Sequence, residues 1–453
     1  LKDGEIIAAA QEERFTRKKH DPSYPHNAIE FVLNFANLKL SDVNQIVFFE
    51  KPFLKFERLL ETYVAFAPKG FVSFSKAMPL WIKEKLFQKN FLFNKLKAHD
   101  KDYKSDENIF FSDHHLSHAA SAFFPSPFQE AVILTADGVG EWATTTVAVG
   151  KNHNLEIKKE IHFPHSLGLL YSAITKRIGL KPNEDEYITM GMAAYGEVCV
   201  DMQYCFNEWA NWHKGFSLED FKGHRPEDIA ASAQAHAELE IEKIIGLAAN
   251  WGTKLCYAGG VALNCVANSK ILHHYFKDVW IYPNPGDAGS SLGAALAFNR
   301  KKIEYTPYLG TNIDHFVNPK VVVTQLLKDK VVGIANGKAE FGPRALGNRS
   351  LLGDVRYDIK RTVNKIKRRQ QFRPFAPAIL SEYADEYFDG PMNKYMQYTS
   401  QAKHDYKSVT HVDNSARVQL VTPSCKTILR PILEEFYERT GVPMLLNTSL
   451  NIK

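Results

Sequence analysis

Apolar and polar positions recur with two different periods along the chain, and the switches between them outline its elements. From Asn27 to Leu38, Ile29, Val32, Leu33 and Phe35 stand at helical spacing and predict an amphipathic helix. Ala131 to Ala136 is a short unbroken apolar run, the pattern of a buried strand, and it leads straight into Asp137-Gly138-Val139-Gly140. A second strand, Thr144 to Val149, completes a hairpin with Asp137 and two glycines at its tip. Pro226 to Asn250 predicts a long helix through Ile229, Leu239, Ile241, Ile244 and Ile245. Lys254 to Ala258 then predicts a strand, and Gly259-Gly260 turns it into a helix through Ala262-Leu263-Asn264. Later come a strand from Val331 to Asn336, a helix with Pro431 in its first turn and Gly441 at its end, and an apolar strand at Met444.

Asp3-Gly4 predicts a hairpin turn leading into a strand whose partner is missing, and Gln11 to His20 reads as a polar, basic loop. Lys51 to Asp106 is rich in Phe, Leu and Lys, and reads as largely helical. Pro307, Gly310 and Pro319 punctuate a polar linker, which places a boundary between a first domain of residues 1–310 and a second of residues 311–453. Alternating strands and helices make the expected fold class α/β. A start without Met and an end just past a strand read as an internal piece of a longer protein.

Composition narrows the field of functions. At 453 residues, 45% hydrophobic, the chain can bury substantial cores. Its net charge of +5 is small beside 56 Lys and Arg and 51 Asp and Glu, so no nucleic acid and no membrane surface is expected globally. Anion binding has to be local. Cys199, Cys205, Cys256, Cys265 and Cys425 are scattered, which fits a reduced cytoplasmic setting.

Candidate chemistry concentrates in three places. Asp113-His114-His115-Leu116-Ser117-His118 sets His114 and His118 at i and i+4, able to converge on one divalent metal, although a His115/His118 pair at i and i+3 stays open. Asp137, at the tip of a buried strand, can reach a metal or a phosphate, and Asp287 can cap the following helix or join the histidines. The glycine turns at 138–140 and 259–260 can present N–H groups to phosphate. In the last third, Arg344, Arg349 and the block Lys365 to Pro377 interleave basic side chains with Gly, Pro and Phe, a pattern that aims guanidinium groups at phosphate or carboxylate. His411 to Arg417 adds a further polar run.

Taken together, these residues resemble the NodU/CmcH family of O-carbamoyltransferases over nearly the whole chain. The motifs are AAAQEERFTRKKHD, DHHLSHAASAFFPSPF, LTADGVGEW, SLGLLYSAIT, YAGGVALNCVAN, NPGDAGSSLGAAL, EFGPRALGNRS and FRPFAPA. The resemblance implies an actin-like ATPase-fold domain followed by a YrdC-like domain that makes carbamoyl-adenylate from carbamoyl phosphate and ATP with Mg2+. It implies that His114, His118, Asp137 and Asp287 hold Fe2+ or another divalent metal. Gly138, Gly140, Gly259, Gly260 and Asn264 would hold the adenylate. Arg344, Lys367, Arg369 and Arg373 would act on carbamoyl phosphate and ATP, with Arg349, Asn447 and Thr448 lining the same pocket. The acceptor would be a hydroxyl of a sugar, an antibiotic or a polysaccharide precursor, with a homodimer left open. Ile188 and Lys338 stand where the family commonly has Lys and Arg. Two other readings stay open: a threonylcarbamoyl-type tRNA modification enzyme, and a catalytically inactive nucleotide- or metal-binding homologue.

Overall fold

Six of the seven residues of Glu130–Ala136 (β1) are buried, as an unbroken apolar run requires. The strand is the centre of a five-stranded sheet with Ala143–Lys151 (β2), Asn154–His162 (β3), Lys254–Ala258 (β4) and Asp278–Ile281 (β5), in the order β3-β2-β1-β4-β5. The pairs β1–β2 and β2–β3 are antiparallel; β1–β4 and β4–β5 are parallel. Val132, Ile133 and Leu134 are at most 1% exposed, and burying each contributes about 1.5–3 kcal/mol. This computed structural model describes residues 1–82, 87–202, 216–217 and 219–452, so Cys205 lies outside the described residues.

Two helices cover the sheet where the site will be built. His114–Phe123 (α1) has nine of its ten residues buried, and its small side chains Ala119, Ala120, Ser121 and Ala122 let Ser290–Asn299 (α2) come very close. A Cβ on Gly293 of α2 would lie 1.9 Å from the Ser117 carbonyl oxygen, so the two backbones touch there. A similar constraint holds the turn before α2, where a Cβ on Gly289 would lie 2.0 Å from the Asn284 carbonyl oxygen.

The chain forms two compact units: Leu1–Leu169 with Ala248–Ala262 and Asp278–Tyr305, and Leu170–Leu247 with Leu263–Lys277 and Thr306–Lys453. The first contains the sheet above and a small apolar cluster in which Ile29 and Leu33 pack with Leu40, Leu92, Leu96 and Ile109. The second contains a mixed sheet of Val331–Ala335 (β6), Arg349–Gly353 (β7), Ala376–Leu380 (β8), Gln419–Val421 (β9) and Met444–Ser449 (β10), in the order β9-β8-β10-β7-β6. Leu429–Thr440 (α3) lays Ile432, Leu433 and Phe436 against Leu352, Ala378 and Leu445 of that sheet, and stops at Gly441 with φ 70°. The α/β class expected from the sequence is the one adopted. Contacts group the chain differently from a single cut after residue 310, since residues 170–247 and 263–277 go with the C-terminal part.

Four local expectations are corrected. Asp3 (φ 53°) and Gly4 (φ 87°) do form a turn, closed by a bridge between Lys2 and Glu5, but residues 6–10 join no strand. The loop from Gln11 to His20 contains a helical turn, Glu13–Thr16. The polar linker contains a strand, Tyr308–Ile313, antiparallel to Gly337–Glu340, because Leu309 is drawn into the core and pairing across a gap in sequence outweighs local polarity. Pro319, read as punctuation, is the first residue of the helix Pro319–Asp329, capped by Asn318.

The helix contact at Gly293 makes the first prediction. Gly293→Ala forces α1 and α2 apart and lowers stability by about 1–3 kcal/mol, read as a lower urea midpoint at unchanged slope. An unchanged midpoint would show that the two backbones are not in contact there.

Candidate functional site

In α1, residues four apart share a face, so His114 and His118 both project toward the carboxyl end of β1. Their Nε2 atoms lie 3.2 Å apart, and each faces Asp137 Oδ2, at 3.2 Å from His114 and 3.1 Å from His118. The turn before α2 brings Asp287 Oδ1 to 3.3 Å from His118 Nε2 and 3.5 Å from His114 Nε2. All four ligand atoms lie within 4.8 Å of one another. Two imidazole nitrogens and two carboxylate oxygens suit a divalent metal such as Zn2+, Mn2+ or Fe2+. Asp287 therefore acts here as a partner of the histidines and makes no side-chain cap. His115 turns away, its Nδ1 2.6 Å from the Thr135 hydroxyl, so the convergent ring nitrogens are those of the i, i+4 pair.

The electrostatics of the cluster favour a cation. Burial works against the His118 imidazolium, but hydrogen bonds to Asp137 and Asp287 outweigh it and raise its pKa to about 9. Burial likewise works against the Asp137 carboxylate, yet the two imidazoles hold it well below the usual carboxylate range. The His118 side chain is 0% exposed whereas that of Asp287 is 62% exposed, so the cluster is closed on the helix side and open at Asp287. Around it, the Glu141 carboxylate accepts the N–H of His114 at 3.1 Å and that of Lys51 at 2.7 Å, and Ser290 Oγ stands 3.4 Å from His118 Nδ1.

The glycines expected to hold an adenylate surround this cluster. Gly260 donates its N–H to Asp137 Oδ1 at 3.2 Å, and a Cβ there would meet that oxygen at 2.8 Å. A Cβ on Gly140 would meet the His114 Cβ at 2.9 Å, and Gly259 (φ 91°) abuts the Ala136 carbonyl. Gly138 has more room, with Leu169 Cδ2 as its nearest neighbour at 3.7 Å. In a second convergent group, His26, Glu30 and His99, the His99 Nδ1 is 2.5 Å from Glu30 and its ring stacks on His26 at 4.2 Å.

The C-terminal unit contains a cavity of about 300 Å³ lined by Arg369, Arg373 and Arg417, with Tyr187, Phe372 and Phe375 among its walls. The Arg369 guanidinium lies 4.1 Å over Phe375 and donates from Nε to Asn364 Oδ1 at 2.6 Å. Arg373 lies 4.6 Å over Tyr187. Burial, then the neighbouring charges of Arg373 and Arg417, push the pKa of Arg369 down, and burial does the same to Arg373. Such mutually repelling, partly desolvated guanidinium groups are relieved by an anion. Glu238 and Asp413 also line the cavity, as does Ile188, buried at 1% exposure.

Not every expected residue comes to that wall. Lys367 Nζ donates to the carbonyls of Ser449 and Asn451 at 2.5 and 2.9 Å. Arg349 is taken up by the carbonyls of Thr311, Asn336, Gly337 and Asn348. Burial, and then the charge of Arg417, lower the pKa of Arg344, but it is not among the lining residues. Asn447 donates to Ala345 O and Gln419 Oε1, and Thr448 pairs with Leu351 across β10 and β7. Asn264 caps the helix Cys265–Tyr275 and pairs with Gln234, itself on the cavity wall. Arg417 had no assigned role in the sequence; its signal was the polar run His411 to Arg417, of which four residues besides Arg417 line the cavity, His411, Asp413, Ser415 and Ala416.

The family described as Carbamoyltransferase N-terminus matches residues 1–211 and 202–296, and Carbamoyltransferase C-terminus matches residues 323–453. Protein sll1178 of Synechocystis sp. is 39% identical, covering 100% of this chain and 89% of its own length. Nodulation protein NolNO of Sinorhizobium fredii is 33% identical over 100% of this chain and 73% of its own length. Nodulation protein NolO of Bradyrhizobium diazoefficiens is 30% identical over 75% and 72% respectively.

The two histidine environments yield a paired prediction. His118→Ala lowers bound divalent metal from about one per chain toward none, measured by elemental analysis of protein dialysed against the metal, whereas His115→Gln keeps it. Equal loss in both variants would mean that the metal, if any, is not held by the i, i+4 pair.

Proposed function

Because this chain belongs to the carbamoyltransferase family, we propose that its carbamoyl group travels by way of carbamoyl-adenylate to a hydroxyl of a small-molecule acceptor. The observation that carries the reading is the convergence of Arg369, Arg373 and Arg417 on one cavity with aromatic walls. Guanidinium groups suit the phosphates of carbamoyl phosphate and ATP, and Tyr187, Phe372 and Phe375 offer faces to a base. In the first half-reaction water attacks the phosphorus of carbamoyl phosphate, the bond between carbamoyl oxygen and phosphorus breaks, and phosphate leaves carbamate behind. The carbamate oxygen then attacks the α-phosphorus of ATP, and pyrophosphate leaves. Arg369 and Arg373 neutralise the charge that grows on these phosphate oxygens.

In the second half-reaction the acceptor hydroxyl attacks the carbamoyl carbon, the hydroxyl proton is lost and AMP departs. We assign His114, His118, Asp137 and Asp287 to a divalent metal, Fe2+ by resemblance, and Gly138 and Gly259 to the adenylate beside it. Such a metal, when bound, polarises a carbonyl or phosphoryl oxygen. The open side at Asp287 is where the acceptor would enter. Residues 1–310 then correspond to an actin-like transfer domain and residues 311–453 to a YrdC-like domain, with a sugar, an antibiotic or a polysaccharide precursor as the acceptor class.

Pyrophosphate release from ATP, measured with and without carbamoyl phosphate and with no acceptor, tests the first half-reaction. Release depends on carbamoyl phosphate, and Arg373→Ala lowers kcat/KM for it by about 10–100-fold, the loss of one charge-assisted contact. Arg349→Ala, whose guanidinium is taken up by carbonyls, acts on stability instead. Release that is indifferent to carbamoyl phosphate would sink the adenylate route.

A further inference from the structure

The helix that carries both histidines of the cluster begins without the cap its own sequence offers. Asp113 stands directly before α1 with extended backbone (φ −63°, ψ 143°), where an aspartate ordinarily accepts a hydrogen bond from the first turn, yet its side chain makes no such bond. It reaches outward instead to Lys51 Nζ at 2.9 Å, and both side chains are 41% exposed. The N–H of His114 is taken by a residue from another element, with both oxygens of Glu141 at 3.1 Å. Glu141 is buried, and its Oε1 also accepts the N–H of Lys51 at 2.7 Å.

Glu141 belongs to the turn that presents Asp137. That turn is closed twice, by the Asp137 N–H donating to the Thr144 carbonyl and the Gly140 N–H to the Ala143 carbonyl, both at 2.9 Å. Buried Arg58 holds it from outside, donating to the Gly140 carbonyl at 2.9 Å. A turn closed in this way fixes Glu141 relative to Asp137, and the Glu141 carboxylate carries that position across to the first residue of α1. The contact falls on the residue whose Nε2 faces Asp137 Oδ2 at 3.2 Å. A cap from Asp113, which shares a segment with His114, would leave the spacing between helix and turn undetermined; a cap from Glu141 sets it.

We propose that Glu141 is a positioning residue for the metal, holding His114 on α1 at the right distance from Asp137 on the turn through the reach of its side chain rather than through its charge. This role rests on the assignment of His114, His118, Asp137 and Asp287 to a divalent metal. Metal–ligand distances are held to about 0.2 Å, so a small shift of α1 against the turn costs affinity although no ligand is lost. Reach and charge separate in two substitutions. Glu141→Gln keeps the length and the Oε1 acceptor that serves both N–H groups. Glu141→Asp keeps the charge and withdraws the oxygens by one methylene.

Titration of the metal-free full chain with Co2+, followed by visible absorption, tests this. The parent binds and His118→Ala does not. Glu141→Asp lowers the affinity about 10–100-fold, Glu141→Gln stays within a few-fold of the parent, and Asp113→Ala matches it. In the metal-free chain, amide exchange at His114 quickens in Glu141→Asp and not in Glu141→Gln, which reads the contact without any metal. Glu141→Asp binding like the parent overturns the proposal, and a fall in its Tm at that unchanged affinity would make Glu141 a helix cap alone. Glu141→Gln losing as much affinity as Glu141→Asp overturns it in favour of charge. A parent that takes up no Co2+ overturns the metal assignment and this role with it, an outcome distinct from a parent and a Glu141→Asp variant that bind equally.

Discussion

A carboxylate at the buried end of a strand costs several kcal/mol unless it is paired, and Asp137 is such a group. Much of the first unit follows from pairing it. One oxygen takes the N–H of Gly260 and the other faces His114 and His118, so α1 must lie against β1 with its i, i+4 face toward the sheet end. No Cβ fits at Gly260 beside the Asp137 oxygen, at Gly140 beside the His114 ring, or at Gly168, 2.7 Å from the Asp137 carbonyl. These glycines are fixed by crowding around a charged group. The same crowding at Gly293 brings the turn holding Asp287 within reach of His118.

How legible a feature is in the sequence depends on the distance over which it is built. The pair His114 and His118, the strand running into Asp137 and the Gly259-Gly260 turn are local, and their spacing alone identifies them. Asp287 is 169 residues from His118, and nothing in its own neighbourhood separates a cap from a ligand. Tyr308–Ile313 was hidden for the same reason, since its partner strand is supplied by Gly337–Glu340. The basic block shows the limit at close range. Its arginines mark a candidate anion site, but Arg368 at φ 51° reverses the local path, and Lys367 is tied to Ser449 and Asn451 while Arg369 reaches the cavity. A single left-handed residue redistributes the block, and no periodicity reports it.

Like charges are used in two opposite ways in this chain. In the cavity, Arg369, Arg373 and Arg417 are drawn together and partly desolvated, which raises the cost of their charge and sharpens the gain when an anion arrives. Elsewhere Lys69 and Lys76 stand on an exposed helical surface, where each is solvated and its attraction to an opposite charge is screened by salt. The first arrangement is suited to discriminate by geometry, and the second discriminates little. A net charge of +5 describes neither.

The cavity also limits how this chain can be divided. Its walls come from residues 187–198, 231–238, 265–270 and 369–417, so they join both segments matched to the family, one on each side of residue 310. A fragment ending near residue 310 would retain the histidine cluster and the five-stranded sheet but lose all three guanidinium groups. The C-terminal fragment would keep those groups and lose Tyr187, the aromatic face over which Arg373 is held. The anion cavity is thus a property of the interleaved unit, and the linear order of the two family segments does not describe how it is built.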